Sequence, residues 1–375
     1  MSVWYVYPGA VGADNGTSTT DAWTTVRSAL TSGSVAGGDI VYCRGSETIS
    51  TVINVSLAAW AVPYLPYQFI GVNSSWEVDG TNYTISVGAA SFTIINAITS
   101  ADALLFRYFT FNNPLANVSV TGIVTRDYCV LWNCTFADLY RGATLKGVCT
   151  VKSCYFSSCS DYGAKSNTTQ PARYFYSRFD NCGTGIVTYG YDFIVGSVFS
   201  NCTYGILHPT TGGTYPISVV QCTFYNDTYG IYLTNTAYIQ NCLFVSCGTY
   251  SISLNSADYL SFEIDNAYYP SQNNYVITGV SLFAIGTTTI LGASPLQNAA
   301  GGNFMPSASA GDMANATSLN DGTNYTYVDC GLQRNIPILP VGSSVLSGTG
   351  AFGYSDAPIT PTLAPSSEIV CTTFI

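Results

Sequence analysis

Phe179-Asp-Asn181-Cys182-Gly-Thr-Gly185-Ile186, Phe199-Ser-Asn201-Cys202-Thr-Tyr-Gly205-Ile206 and Phe224-Tyr-Asn226-Asp227-Thr-Tyr-Gly230-Ile231 are three copies of one block. Phe, Asn, Gly and Ile recur at fixed offsets, and Cys gives way to Asp in the third copy. The pattern extends outward to Cys134-Thr-Phe136, Cys154-Tyr-Phe156 and Cys242-Leu-Phe244. By subtraction, the Phe-to-Phe intervals from 136 to 244 are 20, 23, 20, 25 and 20. A unit of this size, with short alternating strands and no helical period, cannot bury its own apolar face and must stack on copies of itself. The predicted product is a parallel β-solenoid whose coils lie about 4.8 Å apart. In it Phe136, Phe156, Phe179, Phe199, Phe224 and Phe244 point inward, and Cys182 and Cys202 fill an interior column. Asn181, Asn201 and Asn226 form an amide ladder at a turn, and the glycine column suits a bend of positive φ.

Composition narrows the function. Only 9% of the 375 residues are charged, against about 25% in ordinary soluble domains, and the net charge is −10. An acidic chain opposes phosphate contact, so no nucleic-acid partner is expected. The single histidine, His208, excludes any site built on two. The longest apolar run, Leu57 to Val62, stops at Pro63, short of the roughly 20 residues a membrane span needs. The opening Met1-Ser-Val-Trp-Tyr-Val-Tyr-Pro8 lacks a basic, then apolar, leader pattern, and the 13 cysteines are an odd number, so they are read as reduced thiols.

Residues 21–30 read as a helix with Thr20 or Asp21 as cap and Trp23, Val26 and Leu30 on one face, laid across the open end of the stack. The expected layout is 1–38 for an N-terminal strand and capping helix and 39–318 for the solenoid. A C-terminal β segment follows over 319–355, and 356–375 is an extended tail with Pro358, Pro361 and Pro365.

The repeated block resembles the right-handed parallel β-helix repeats of the pectate-lyase-like superfamily. So do the opening Trp4-Tyr-Val-Tyr-Pro-Gly9, the Ala22-Trp23 to Leu30 stretch, Gly38-Asp39-Ile-Val-Tyr42 and Ser294-Pro295 to Phe304. The likeness spans about residues 1 to 320. It implies an all-β chain: a single right-handed parallel β-helix with an N-terminal capping helix, a short C-terminal β segment and an extended Pro-rich tail. It says little about activity, because the superfamily holds lyases, hydrolases, epimerases, adhesins and phage virion proteins. The Asn-Thr-Asp, Asp-Asp, Gly-His-Gly and Arg-Ile-Lys set of polygalacturonases does not occur here, and His208 sits in Leu-His-Pro, which reads as a turn.

Polysaccharide cleavage on such a fold needs clustered carboxylates. The candidates are Glu263 with Asp265, Glu77 with Asp79, and Asp180 beside Arg178; for the i, i+2 pairs a solvated outer face or a turn is the favoured reading. Seven of the 11 basic residues, Arg126, Arg141, Lys146, Lys152, Lys165, Arg173 and Arg178, fall within two or three coils. They make either one positive patch for an acidic protein or glycan, or ion pairs with Asp127, Asp138, Asp161 and Asp180. The cysteine columns spread along an axis rather than converging on a point, so they read as small apolar filler, with no metal and no cofactor.

The reading that follows is a non-enzymatic structural protein of a bacteriophage virion, a head decoration protein or a tail spike or fibre component assembled in the host cytoplasm. Its partners would be other capsid or tail proteins and a host-surface glycan, and the resemblance adds a homotrimer. The alternatives are a polysaccharide lyase or glycoside hydrolase, such as a depolymerising tailspike, and a secreted extracellular adhesin.

Overall fold

The computed structural model describes residues 1–306 apart from 58–64, 89–91, 98–102, 116–118, 126–127, 167–169, 210–214, 235, 256–259, 265, 270–274, 279–280, 286–288, 291–295 and 299–302; from 255 onward it gives backbone pairing alone, except at 266–269 and 296. The expected segments 319–355 and 356–375, and the solenoid's expected end at 318, lie outside the described residues.

Strands follow one another in a cycle of three, and each pairs in parallel with its equivalent one coil away. The first sheet has 12 strands, from Val3–Val6 and Ile40–Arg44 to Ser281–Ile285. The second has 11, from Ser46–Ile49 to Thr289–Ile290, and the third has 10, from Ile53–Asn54 to Tyr275–Thr278. The coil Cys129–Trp132, Thr135–Ala137, Arg141–Leu145 shows the plan. A tight corner at Asn133 joins its first two strands, and a second at Asp138 leads to the third. The third connection, back to the next coil, varies in length: the extra residues of the 25-residue interval between Phe199 and Phe224 lie between Leu207 and Ile217.

Register makes the core. Phe111, Phe136, Phe156, Phe179, Phe199, Phe224, Phe244 and Tyr268 pair in sequence along the second sheet. Their rings stack 4.6–5.1 Å apart and within 15° of parallel. All are buried. Such ring pairs contribute about 0.5–1.5 kcal/mol each beyond the area they bury.

The cysteines form two further columns. Cys134, Cys154, Cys222 and Cys242 donate their thiols to the carbonyls of Phe106, Leu131, Ile194 and Val219 in the coil before. Cys159, Cys182 and Cys202 do the same to Phe136, Phe156 and Phe179. Ser177 and Ser197 occupy the first column, and their hydroxyls accept the backbone N–H of Cys154 and Ser177 at 3.2 Å. None of the 11 described cysteines is disulfide-bonded.

The structure corrects three expectations. The helix spans only Val26–Leu30, with Thr25 as N-cap accepting the Ser28 N–H. Asp21 cannot serve because its carboxylate holds Ala13 N–H and Ser18 in its own loop, and Trp23 bridges to Val6 and stacks on Trp4. Val26, Ala29 and Leu30 join the core of the first coil, and Arg27 donates to the carbonyls of Thr51 and Val52. The bend of positive φ belongs to the asparagines, not the glycines: Asn181, Asn201 and Asn226 have φ of 53°, 57° and 54°, a region Asn tolerates. Gly185 and Gly205 serve close approach instead. A Cβ on Gly205 would lie 2.5 Å from the Gly230 carbonyl oxygen and 2.8 Å from the Phe224 ring. Finally, the amide ladder is interrupted. Asn226 donates to Asn201 at 2.9 Å, but Asn201 turns to Asp180 and Asn181 to Ser158.

Candidate functional site: the outer face of the first sheet

Alternation along each strand sends one set of side chains to the core and the other to solvent. In the first sheet the strands Ile40–Arg44, Tyr67–Val72, Leu104–Arg107, Cys129–Trp132, Cys149–Lys152, Ala172–Phe175, Phe193–Val195, Ile217–Val220 and Ala237–Gln240 hold Arg44, Arg107, Lys152 and Arg173 and no acidic residue. On a chain of net charge −10 this is an isolated cationic face.

Two adjacent outward columns build it. In one, Arg107, Trp132, Lys152, Phe175 and Val195 stand in register. The Arg107 guanidinium lies 3.9 Å from the Trp132 ring centre and 4.8 Å from that of Tyr108, and the Lys152 ammonium lies 4.9 Å from Trp132. In the other column, Thr150, Arg173, Phe193, Ser218 and Tyr238 align. Phe193 and Tyr238 are 40% and 43% exposed, and Phe193 meets Phe175 edge-on at 6.0 Å. Tyr191 and Tyr215, 4.7 Å apart, stand in the connections that lead into this sheet. Burial lowers the pKa of Arg107, and burial together with the nearby Arg107 charge lowers that of Lys152.

The seven basic residues grouped in the sequence do not form one patch. Lys152 and Arg173 face outward on the first sheet. Arg178 is on the second, and Arg141 and Lys165 are on the third, with Lys146 just past it. The rise per coil brings them near one another along the axis, while the three sheets turn them to different sides. Arg126 and Asp127 lie outside the described residues. Arg141 binds Asp161 at 2.7 Å. Lys165 lies 5.0 Å from the Tyr189 ring centre.

Asp180 is committed to structure. Its carboxylate lies 3.6 Å from Arg178 and accepts from Ser200 Oγ at 2.6 Å, Asn201 Nδ2 at 3.2 Å and Tyr155 OH at 3.3 Å. Glu77 and Asp79 flank a turn in which Asn73 accepts the Ser75 and Glu77 N–H groups and donates to Asp79. Glu263 occupies a first-sheet position opposite Ile239 and Ala284; Asp265 is outside the described residues. His208 is buried just past the strand Tyr204–Leu207, with Nδ1 3.1 Å from Thr234 Oγ1. No group of three or more metal-ligating side chains occurs among the described residues.

Sequence reading missed Arg107 and Trp132, which lie 25 positions apart and meet only through register. It also missed two interior acids. Asp192 accepts hydrogen bonds from Ser166 Oγ and the Ala172 N–H, and burial pushes its pKa up to about 7. Asp227 takes the cysteine position of the second thiol column, accepts the Cys202 N–H at 2.7 Å and is likewise raised by burial. That change was visible as the single Cys-to-Asp departure in the repeated block.

A family model described as a right-handed beta helix region matches residues 93–262. The fold is a right-handed parallel β-helix. Among solved structures, the pectate lyase Pel9A is similar at 14% identity over 90% of this chain and 91% of that one, with a TM-score of 0.49. ORF18 of Geobacillus virus E2 is similar at 12% identity over 69% and 55%, TM-score 0.41. A mannuronic acid specific family 6 polysaccharide lyase from human gut microbiota is similar at 13% identity over 76% and 67%, TM-score 0.46. No curated protein matches the sequence. At these identities the likeness is one of fold.

Proposed function

We propose that this β-helix is a non-catalytic structural protein of a bacteriophage virion that works by contact, with the outer face of the first sheet as its contact surface. The observation that carries the contact reading is the run of nine strands holding four cations and no acid. Exposed aromatic rings beside those cations are the chemistry of a binding face. The catalytic candidate Asp180 is held in a hydrogen-bond network with Arg178, Ser200, Asn201 and Tyr155, as a corner brace is. Thiol columns without disulfides suit assembly in a reducing cytoplasm, which supports the virion over the secreted adhesin. The head or tail proteins around it, and a homotrimeric state, belong to the same proposal.

The enzymatic alternative keeps one foothold, the place of Glu263 in the first sheet. Incubation with acidic and neutral polysaccharides separates the two readings: the structural reading expects no new reducing ends and no unsaturated products. Release of oligosaccharide that Glu263→Gln abolishes would replace it with a lyase or hydrolase. Mass spectrometry of purified particles of the phage carrying the gene checks the virion assignment, with the protein expected among the structural components.

A further inference from the structure

Toward its C-terminal end the third sheet changes character. The strands Thr184–Val187, Tyr204–Leu207, Tyr229–Leu233 and Tyr250–Asn255 hold no charged residue, although Lys165 and Arg141 stand on the same sheet one and two coils earlier. Register puts Tyr204, Tyr229 and Tyr250 in one outward column and Leu207 and Tyr232 in the next. The Tyr204 and Tyr229 rings stack 4.7 Å apart, and Tyr250 follows 5.8 Å beyond Tyr229. Tyr232 meets Tyr204 and Tyr229 edge-on, 5.7 Å from each and inclined by 74° and 83°. The stacked rings present rungs at coil spacing, and Tyr232 stands as a wall beside them. All four tyrosines are half-buried, so they line an uncharged groove along the helix axis.

We propose that this groove seats the chain's own Pro-rich segment, Ala357-Pro358-Ile-Thr-Pro361-Thr-Leu-Ala-Pro365. Spacing favours that occupant. A polyproline II segment has three residues per turn and rises about 3.1 Å per residue, so Pro358 and Pro361 share one side about 9.3 Å apart. Two steps of the tyrosine column, 4.7 Å and 5.8 Å, cover nearly the same length. The chemistry agrees. Proline rings pack on aromatic side chains, and tyrosine hydroxyls donate to the carbonyls that such a backbone leaves unbonded. From Ala357 to Ser367 the segment carries no charge, so seating it strips water from no ion. Reach is ample: 51 residues separate Pro306 from Pro358, and the strand of Tyr204 lies three coils from Tyr275–Thr278, the last of its sheet, about 15 Å. A second copy fits less well. Four half-buried rings leave on the order of 400 Å² to cover, at about 150–250 Å² per aromatic side chain, half of the roughly 800 Å² each partner gives a stable dimer. Seated there, the tail straps three coils together and closes this face to other proteins. The inference is independent of the contact reading of the first sheet.

The test is hydroxyl-radical footprinting of the full chain, read residue by residue by mass spectrometry. In the double variant Pro358→Ser, Pro361→Ser, oxidation of Tyr204, Tyr229, Tyr232 and Tyr250 is expected to rise several-fold, as for a tail docked about nine-tenths of the time in the parent. Tyr128, on the first-sheet side and 50% exposed, is expected to react equally in both. Reciprocally, Tyr229→Ser is expected to raise oxidation of Pro361 and Leu363. Both protections are expected to be independent of protein concentration. The serine variants in the tail alter no strand, so the tyrosine readout stands even if Tyr229→Ser disturbs its sheet. Tyrosines equally reactive in parent and double variant overturn the proposal. So does a tail equally reactive in parent and Tyr229→Ser, and protection that grows with protein concentration assigns the groove to another copy and overturns it as well.

Discussion

The outer faces of the first and second sheets carry the same kinds of side chain and treat them differently. On the second, Arg178 faces Asp180, and the carboxylate is closed off by Ser200, Asn201 and Tyr155. On the first, Arg107 and Lys152 share a tryptophan with no described acid in reach. The two sheets lean on one core, so the difference is not one of folding need. A cation that meets a carboxylate within the molecule adds rigidity, whereas two like charges with no described acid in reach are open to an anion from outside.

The largest way to break the comparison is to remove what the sheets share. Phe179→Ala deletes one ring from the stack and is expected to cost about 3–5 kcal/mol, read as a fall in the urea midpoint, with both faces losing structure together. Next comes pH. Asp192 lies at the entry to the first sheet with its pKa pushed to about 7, against about 3.9 in the unfolded chain. The folded state therefore holds the extra proton between these values, and stability falls as pH rises from about 4 to about 7, by on the order of 4 kcal/mol. Asp227 and Glu47, both raised by burial, act in the same sense. Asp21, Asp39 and Asp79 are lowered and lose their contribution only below that window. For Asp79 the cause is hydrogen bonding from Thr81 and Asn73. Urea midpoints at about pH 5.5 and about pH 8, inside and above the window, check the slope, and Asp192→Asn is expected to flatten it.

Smaller again is Gly205→Ala, which drives a methyl toward the Gly230 carbonyl and the Phe224 ring. Overpacking of this kind costs about 1–3 kcal/mol, measured by the same midpoint. The smallest effects sharpen the comparison most. Arg178→Met on the second sheet is expected to lower stability by up to about 1 kcal/mol, because the pair is partly exposed. Arg107→Met on the first is expected to hold or raise the melting temperature, since an apolar side chain replaces a buried charge without a carboxylate partner. Opposite signs for these two arginines support the contrast between the faces, and a loss of stability in both would erase it.

The coil plan was legible because its residues recur at fixed offsets: the phenylalanines, the thiols and the corner asparagines announce their columns. What depends on a single local choice was harder to read. The helix start was misplaced because Asp21 has a competing use within its own loop. The glycine column was assigned a backbone role because a close approach between coils leaves no mark in one coil's sequence. The site was harder still. Clustering in the chain offered either one basic patch or ion pairs with nearby acids; two of those pairs form, Arg141 with Asp161 and Arg178 with Asp180, and a solenoid sorts neighbours by sheet before it sorts them by sequence. Arg107 and Trp132 become neighbours only once each strand's outward positions are aligned coil on coil.

The two cysteine columns also give the molecule internal gauges. Each described thiol is buried; burial pushes up the pKa of Cys43, Cys129, Cys154, Cys202 and Cys247, while hydrogen bonds with Cys159 and Cys202 lower that of Cys182, and in every case burial keeps an alkylating reagent out while the spiral stays wound. Labelling rates resolved cysteine by cysteine therefore map where the spiral unwinds first, from one end or from a seam in the middle.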